Sequence, residues 1–161
     1  MLVGVLSDTH DRVPLIAQAL DLFAERGVGA VVHAGDICSP FAAKALKAAE
    51  DRCPLHVILG NNEGEIDGLT AILPQLCRGP IRLELDGRKI LVHHFTQWCD
   101  ADDVAWADVV ITGHTHEVVN ESRDGRLWLN PGECCGWVNG RCSVAVLDTV
   151  GPEAEIIDLT P

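Results

Sequence analysis

Residues Leu2 to Asp11 read Leu-Val-Gly-Val-Leu-Ser-Asp-Thr-His-Asp, an apolar run that stops abruptly in ionisable side chains. Asp8 and His10 offer one oxygen and one nitrogen donor two residues apart, which is half of a site for a divalent cation. A lone Asp-His pair is more often a hydrogen bond at a strand end, but here the arrangement recurs. Ala30 to Ala34 ends in Gly35-Asp36, Leu55 to Leu59 in Gly60-Asn61-Asn62-Glu63, and Val109 to Thr112 in Gly113-His114-Thr115-His116. Each β-rich run exits through glycine into a ligand-type side chain. Glycine allows a sharp exit and a close backbone approach.

Elements that would hold these donors follow from the hydrophobic pattern. The first run is apolar on both faces and reads as a buried strand of a parallel sheet, with an extended exit that turns Asp8 and His10 to one side. Pro14 opens a helix, Leu15, Ala19, Leu22 and Phe23 give it an apolar stripe, and Gly27 stops it. Val31 to Ala34 is a strand, Pro40 to Ala49 a helix, Leu55 to Leu59 a strand and Ile66 to Leu76 a helix. Alternating βα units predict right-handed crossovers, with a binding crevice outside the carboxyl ends of the strands.

Beyond Gly79-Pro80 the pattern changes. Ile81 to Leu85, Asp86-Gly87 and Arg88 to His93 read as a hairpin, and Asp100 to Ala107 as a short helix. Strands are expected at Val109 to Thr112, Glu117 to Ser122, Leu127 to Asn130, Ser143 to Asp148 and Glu155 to Leu159, with a turn at Asp124-Gly125. The second half is therefore expected to be largely antiparallel. Two sheets packed face to face with helices outside would bury every apolar face in one domain over residues 1–161.

Composition narrows the partners. With 47% apolar and 22% charged residues, the 161-residue chain resembles an ordinary soluble globule. No apolar run approaches the roughly 20 residues of a membrane span, and without a basic leader and cleavage site the cytoplasm is the expected location. Twelve basic residues against 24 acidic ones give a net charge of -12. That disfavours broad nucleic-acid binding, while cations in an acidic shell can still hold a small phosphate ester. The seven cysteines, Cys38, Cys53, Cys77, Cys99, Cys134, Cys135 and Cys142, are odd in number and form no C-x-x-C pair. Neither a disulfide framework nor a zinc knuckle is indicated. His33 and His56 match no motif and read as core or surface residues, and the four tryptophans as core or interface packing.

Asp8-x-His10, Gly35-Asp36, Gly60-Asn61-Asn62-Glu63, His93-His94 and Gly113-His114-x-His116 resemble, in order and spacing, the calcineurin-like metallophosphoesterases. Asn130-Pro131-Gly132-Glu133-Cys134-Cys135-Gly136 is similar to the small archaeal and bacterial phosphodiesterase branch. The resemblance implies an α/β fold, a four-layer αββα sandwich of two mixed β-sheets flanked by helices, and two divalent metal ions. Asp8, His10, Asp36 and His116 would hold the first ion and Asp36, Asn61, His94 and His114 the second. Asp36 would bridge them. Manganese leads the candidate metals, with nickel, iron, cobalt and zinc also suited to this donor set. At the ligand position of the family's Thr-His-Gly, alignment selects His94 over His93, and Phe95 stands where glycine is usual. A metal-bridging hydroxide would attack the phosphorus.

Many members carry a histidine after the ligand asparagine. Asn62 here can hydrogen-bond a phosphoryl oxygen but cannot deliver a proton at neutral pH. A small phosphodiester is thus the expected substrate, with Asp36 and Asn62 as the catalytic residues and Asn62 and Arg12 as substrate contacts. Asp11 and Glu63 are candidates to orient the histidines, Asn130-Pro131-Gly132 reads as a turn near the site, and the sequence leaves the oligomeric state open, with a homodimer among the assemblies that the resemblance implies. The rival reading is a protein-binding scaffold of the same fold, with little or no catalysis.

Overall fold

The computed structural model describes all 161 residues. Eleven strands form two sheets. In the first, β1 (Leu2–Leu6), β2 (Ala30–His33) and β3 (Leu55–Leu59) run parallel, with the two-residue β4 (Cys77–Arg78) beside β3. On the other side of β1 lie β10 (Ser143–Asp148) and then β11 (Glu153–Asp158), both paired antiparallel. The second sheet runs β5 (Ile81–Leu85), β6 (Arg88–Val92), β7 (Val109–Ile111), β9 (Arg126–Pro131), β8 (Val118–Arg123).

Two-residue periodicity sends alternate side chains of these strands into different layers. Val3 and Val5 of β1, Val32 of β2, Ile90 and Val92 of β6, Val109 and Ile111 of β7 and Leu147 of β10 meet between the sheets. Leu6, Val31 and Val144 point the other way, onto helices α1 (Val13–Glu25), α2 (Pro40–Leu46) and α3 (Ile66–Ile72). Leu91 and Val110 face α4 (Ala101–Trp106) on the outside of the second sheet. Three cores between four layers are the predicted αββα sandwich. At Gly4 a Cβ would come within 2.6 Å of the Phe23 ring, so glycine here lets α1 seat on β1.

Several expectations shift. Helix α3 ends at Ile72 rather than Leu76, because the residue before Pro74 is disfavoured in the α region. Helix α2 tightens into a 3-10 turn, Lys47–Asp51, instead of continuing to Ala49. The strand pair β3–β4 was not expected, since two exposed residues carry no periodicity.

The second half pairs largely antiparallel, as expected, through β5–β6, β8–β9, β10–β11 and β10–β1, but the centre of the second sheet does not. β6, β7 and β9 are mutually parallel, and only β5 and β8 at the edges run the other way. The first sheet therefore sends four parallel strands to one end and the second sheet three, and the loops leaving β1, β2, β3, β6, β7 and β9 meet. No helix is long and apolar enough to cross a membrane.

Candidate metal centre

Asp8, His10 and Asp36 enter the site from the loops after β1 and β2, which continue the strand ladder beyond the sheet. Asp8 N donates to Gly35 O at 3.0 Å, and the amides of Thr9 and His10 both donate to Asp36 O at 3.1 Å. The strand itself ends at Leu6, and Asp8 (φ 52°) and His10 (φ 38°) are left-handed. They converge through this turn and not through the extended alternation expected from their spacing. Asp11, Asp36, Cys38, His114 and His116 also have positive φ. Non-glycine residues are uncommon there and cluster where function holds the backbone in place.

Glycine serves close approach at two of the strand ends. A Cβ on Gly60 would overlap Asp36 Oδ1, and one on Gly113 would overlap the side chains of Ser7 and Asp8. With both small, the amides of Asn61 and Asn62 donate to Asp36 Oδ1 at 2.8 and 2.9 Å, and His114 N donates to Asp8 Oδ2 at 3.1 Å.

The side chains gather in two groups around Asp36. In the first, one donor atom each from Asp8, His10, Asp36 and His116 lies within 4.8 Å of the others. His10 Nε2 is 3.5 Å from Asp36 Oδ2, and His116 Nε2 is 3.4 Å from Asp8 Oδ1. In the second, His94 Nε2 lies 3.5 Å from the same Asp36 oxygen and 3.0 Å from Asn61 Oδ1. His114 Nδ1 lies 2.9 Å from Asn61 Oδ1. His94 is the histidine that faces Asp36. His93 turns away, accepts from Phe95 N at 3.0 Å and packs edge-on against Phe95 and Trp98.

Outer partners fix the ring orientations. His116 Nδ1 donates to Glu133 Oε2 at 2.8 Å and His94 Nδ1 to the carbonyl of Ala34 at 2.8 Å, leaving both Nε2 atoms for the centre. Burial would raise Glu133, but His116 and the amides of Val138 and Asn139 bring it down to about 2. Burial likewise opposes ionisation of Asp36, and hydrogen bonds from His94 and Asn62 outweigh it, holding this carboxyl below its usual range. The same contact raises His94 against the effect of its burial. Asp8 has no comparable compensation, and its burial leaves it raised.

A divalent cation fits these residues. Asp8 Oδ1 and His10 Nε2 are buried without a hydrogen-bond partner, a costly state for polar atoms unless something else satisfies them. The donors are carboxylate, imidazole and amide. Cys135 lies within reach of His10 and His116, but burial raises its thiol to about 12, and it donates to Glu133 at 3.3 Å.

Glu133 and His33 are the supporting residues that motif reading did not single out. Fully buried His33 accepts from Gly35 N at Nδ1 (3.2 Å), so its Nε2 proton goes to Thr9 Oγ1 at 3.0 Å and pins the two aspartate loops together. Burial lowers it to about 3 and keeps it neutral. A strand-end histidine beside Gly35-Asp36 was the available signal.

Other expected contacts differ. Asp11 accepts from Ser39, and Glu63 from Ile37 N and Gly60 N, so neither orients a histidine. Arg12 donates to Cys135 O and lies over Trp137 at 4.7 Å, tying two loops together. Asn62, on the exposed rim, donates to Asp36 Oδ2 at 2.7 Å. Asn130 and Pro131 belong to β9, and Asn130 Nδ2 holds the carbonyl of Gly113 at 2.8 Å. Trp98 and Trp137 are each 62% exposed at the rim rather than in the core.

The fold and this cluster define a metal-binding phosphoesterase domain. A family model of the calcineurin-like phosphoesterase superfamily domain matches residues 1–151, and the chain belongs to that superfamily. Within it, the chain is similar to the phosphodiesterase MJ0936 of Methanocaldococcus jannaschii, with 36% identity over 157 residues, 92% of this chain and 93% of the relative. A solved archaeal phosphodiesterase superposes with a TM-score of 0.85 at 34% identity, covering 99% of this chain and 100% of that one. Vps29 of Entamoeba histolytica, solved with zinc, shares the fold at a TM-score of 0.68 and 22% identity, covering 98% of this chain and 99% of that one.

Proposed function

We propose that the protein is a metal-dependent phosphodiesterase with a binuclear centre. The observation that carries this reading is the meeting of Asp8, His10, Asp36 and His116 within 4.8 Å, with buried donor atoms unpartnered and Asn61, His94 and His114 adjoining. Asp8, His10, Asp36 and His116 would hold one cation and Asp36, Asn61, His94 and His114 the other, with manganese the first candidate. Two cations so held supply charge neutralisation at the phosphoryl group and a water acidified toward neutrality.

The chain's own residues position and restrain. Asp36 serves both groups through Oδ2, while its Oδ1 is held by the amides of Asn61 and Asn62. Glu133 and the Ala34 carbonyl keep His116 and His94 in the tautomer that points Nε2 inward. Asn62 would steady a phosphoryl oxygen by donation from its amide. It carries no proton for a poor leaving group, which favours diesters and aryl esters over alkyl monoesters.

The test is hydrolysis of a chromogenic aryl phosphodiester by metal-stripped protein, with Mn, Ni, Co, Zn or Mg restored, beside Asp36→Ala. Metal-dependent turnover that falls at least 1,000-fold in the variant is expected, because both cations lose a ligand. Folded protein that turns over nothing with any metal would sink the enzyme reading in favour of a scaffold.

A further inference from the structure

Next to His94 and Asn61 the surface opens into two adjoining depressions of about 200 and 300 Å³ that share Leu59, Gly60, Arg78, Phe95 and Trp98. The second is of a size that takes small organic ligands. Phe95 lies beside the metal centre, with its ring 5.0 Å from that of His94 and 4.3 Å from that of His114. On its far side it stacks on Trp98 at 3.9 Å and 27°, and Trp98 is 62% exposed. Ile66, 37% exposed, also lines the second depression.

Arg78 supplies the polar element. It sits on β4, held in register with Leu59 one residue before Gly60-Asn61. Of the chain's nine arginines, it alone has no carboxylate, carbonyl or aromatic partner. In a protein of net charge -12 an arginine that forms no ion pair is notable, the more so with Glu63 lining the same depression. Ion pairing does not account for its place in this wall.

We infer that this depression is a subsite for one ester arm of the diester, an arm bearing a planar aromatic ring with exocyclic oxygens. The ring stacks on Trp98, as bases and aryl groups do on exposed indoles, and Arg78 donates to its oxygens. The substrate class is then an aryl or nucleobase-bearing phosphodiester rather than a dialkyl one. This rests on reading the adjoining cluster as a phosphoester centre, and the test separates the two.

Three esters with the same p-nitrophenyl leaving group but methyl, phenyl or thymidine 5′ arms are compared for kcat/KM. Trp98→Ala is expected to reduce the preference for phenyl and thymidine over methyl about tenfold, Trp98→Phe to keep most of it, and Arg78→Ala to lower only the thymidine preference, several-fold. In parallel, thymidine 5′-monophosphate and methyl phosphate are titrated while the backbone amide signals of the residues lining the depression are followed by NMR, in metal-free and zinc-supplemented protein. Tighter binding of the nucleotide, lost in Trp98→Ala, is expected whether or not any ester is hydrolysed. Turnover with arm preferences unchanged by Trp98→Ala, or equal Kd for the two phosphates, overturns the subsite. Absent turnover with nucleotide binding intact overturns the phosphoesterase reading alone.

Discussion

The two groups that share Asp36 are satisfied very differently. On the side of Asp8, His10 and His116, buried polar atoms face one another without hydrogen bonds, Asp8 Oδ1 and His10 Nε2 among them. On the side of His94 and His114, Asn61 Oδ1 is within hydrogen-bonding distance of both rings and Asn62 caps Asp36. The first group is organised for a charge that its side chains do not provide. The second has closed partly on itself, so a cation entering there must displace internal hydrogen bonds. Unequal affinities follow. The first position should fill tightly and the second weakly, in proportion to the contacts it breaks.

Removing a donor from each side breaks the comparison most directly. Asp8→Ala should abolish the tight step of a calorimetric manganese titration and reduce diester turnover by about 1,000-fold. Asn61→Ala should leave the tight step alone and weaken only the second. A single class of sites, unchanged by either substitution, would show the asymmetry to be meaningless. Glu133→Gln is gentler, because the amide still accepts from His116 but carries no charge. Loss of an outer partner of this kind typically weakens metal binding by about 10-fold to 100-fold, and here the loss should fall on the first position only. Equal weakening of both steps would mean that Glu133 supports the loop rather than the histidine.

The sequence revealed the donors more clearly than the architecture that gathers them. Glycine followed by a ligand-type residue at a strand end is a local signal, and Gly60 and Gly113 are required by the atoms their Cβ would strike. Alternation of apolar residues gave the layers for the same reason, since it reports which face is buried. Strand direction is a property of partners far apart in sequence. Arg126 to Pro131 follows a tight Asp124-Gly125 hairpin from β8, yet its other neighbour, β7, is parallel to it. Nothing within that segment announces this. The consequence is functional, because parallel β6, β7 and β9 bring His94, His114, His116 and Glu133 to one edge. Supporting roles were hidden likewise. Glu133 was visible as a motif letter, but only the loop from Gly132 to Asn139 shows it buried against His116.

Acid–base behaviour sharpens the comparison further. His94 is raised above its ordinary 6.5 by its contact with Asp36, so in metal-free protein its proton occupies the place between Asp36 and Asn61 that the second cation would take. A histidine raised on folding contributes stability that is complete below pH 6.5 and is lost as pH rises through the folded value. Metal-free protein should therefore lose a few degrees of Tm between pH 6 and 9, and His94→Asn should flatten that slope. Saturating metal should remove it too, because the cation replaces the proton. The second step of metal binding should tighten over the same pH range and the first much less. A second step indifferent to pH would place its ligand set elsewhere.

The smallest effect tests the rim. Asn62 donates to Asp36 Oδ2 and offers no acid. Asn62→His puts a titratable donor where the leaving group departs, and general acid catalysis in favourable geometry reaches about 100-fold or more. An exposed rim side chain held by one hydrogen bond is not so well placed, and a several-fold rise in alkyl monoester turnover is the expected result, measured as kcat against pH. Aryl diesters, whose leaving groups need no proton, should change by less than twofold. Equal gains on both substrates would mean that the histidine acts on binding, and that the proton deficit at the rim does not set the preference for diesters.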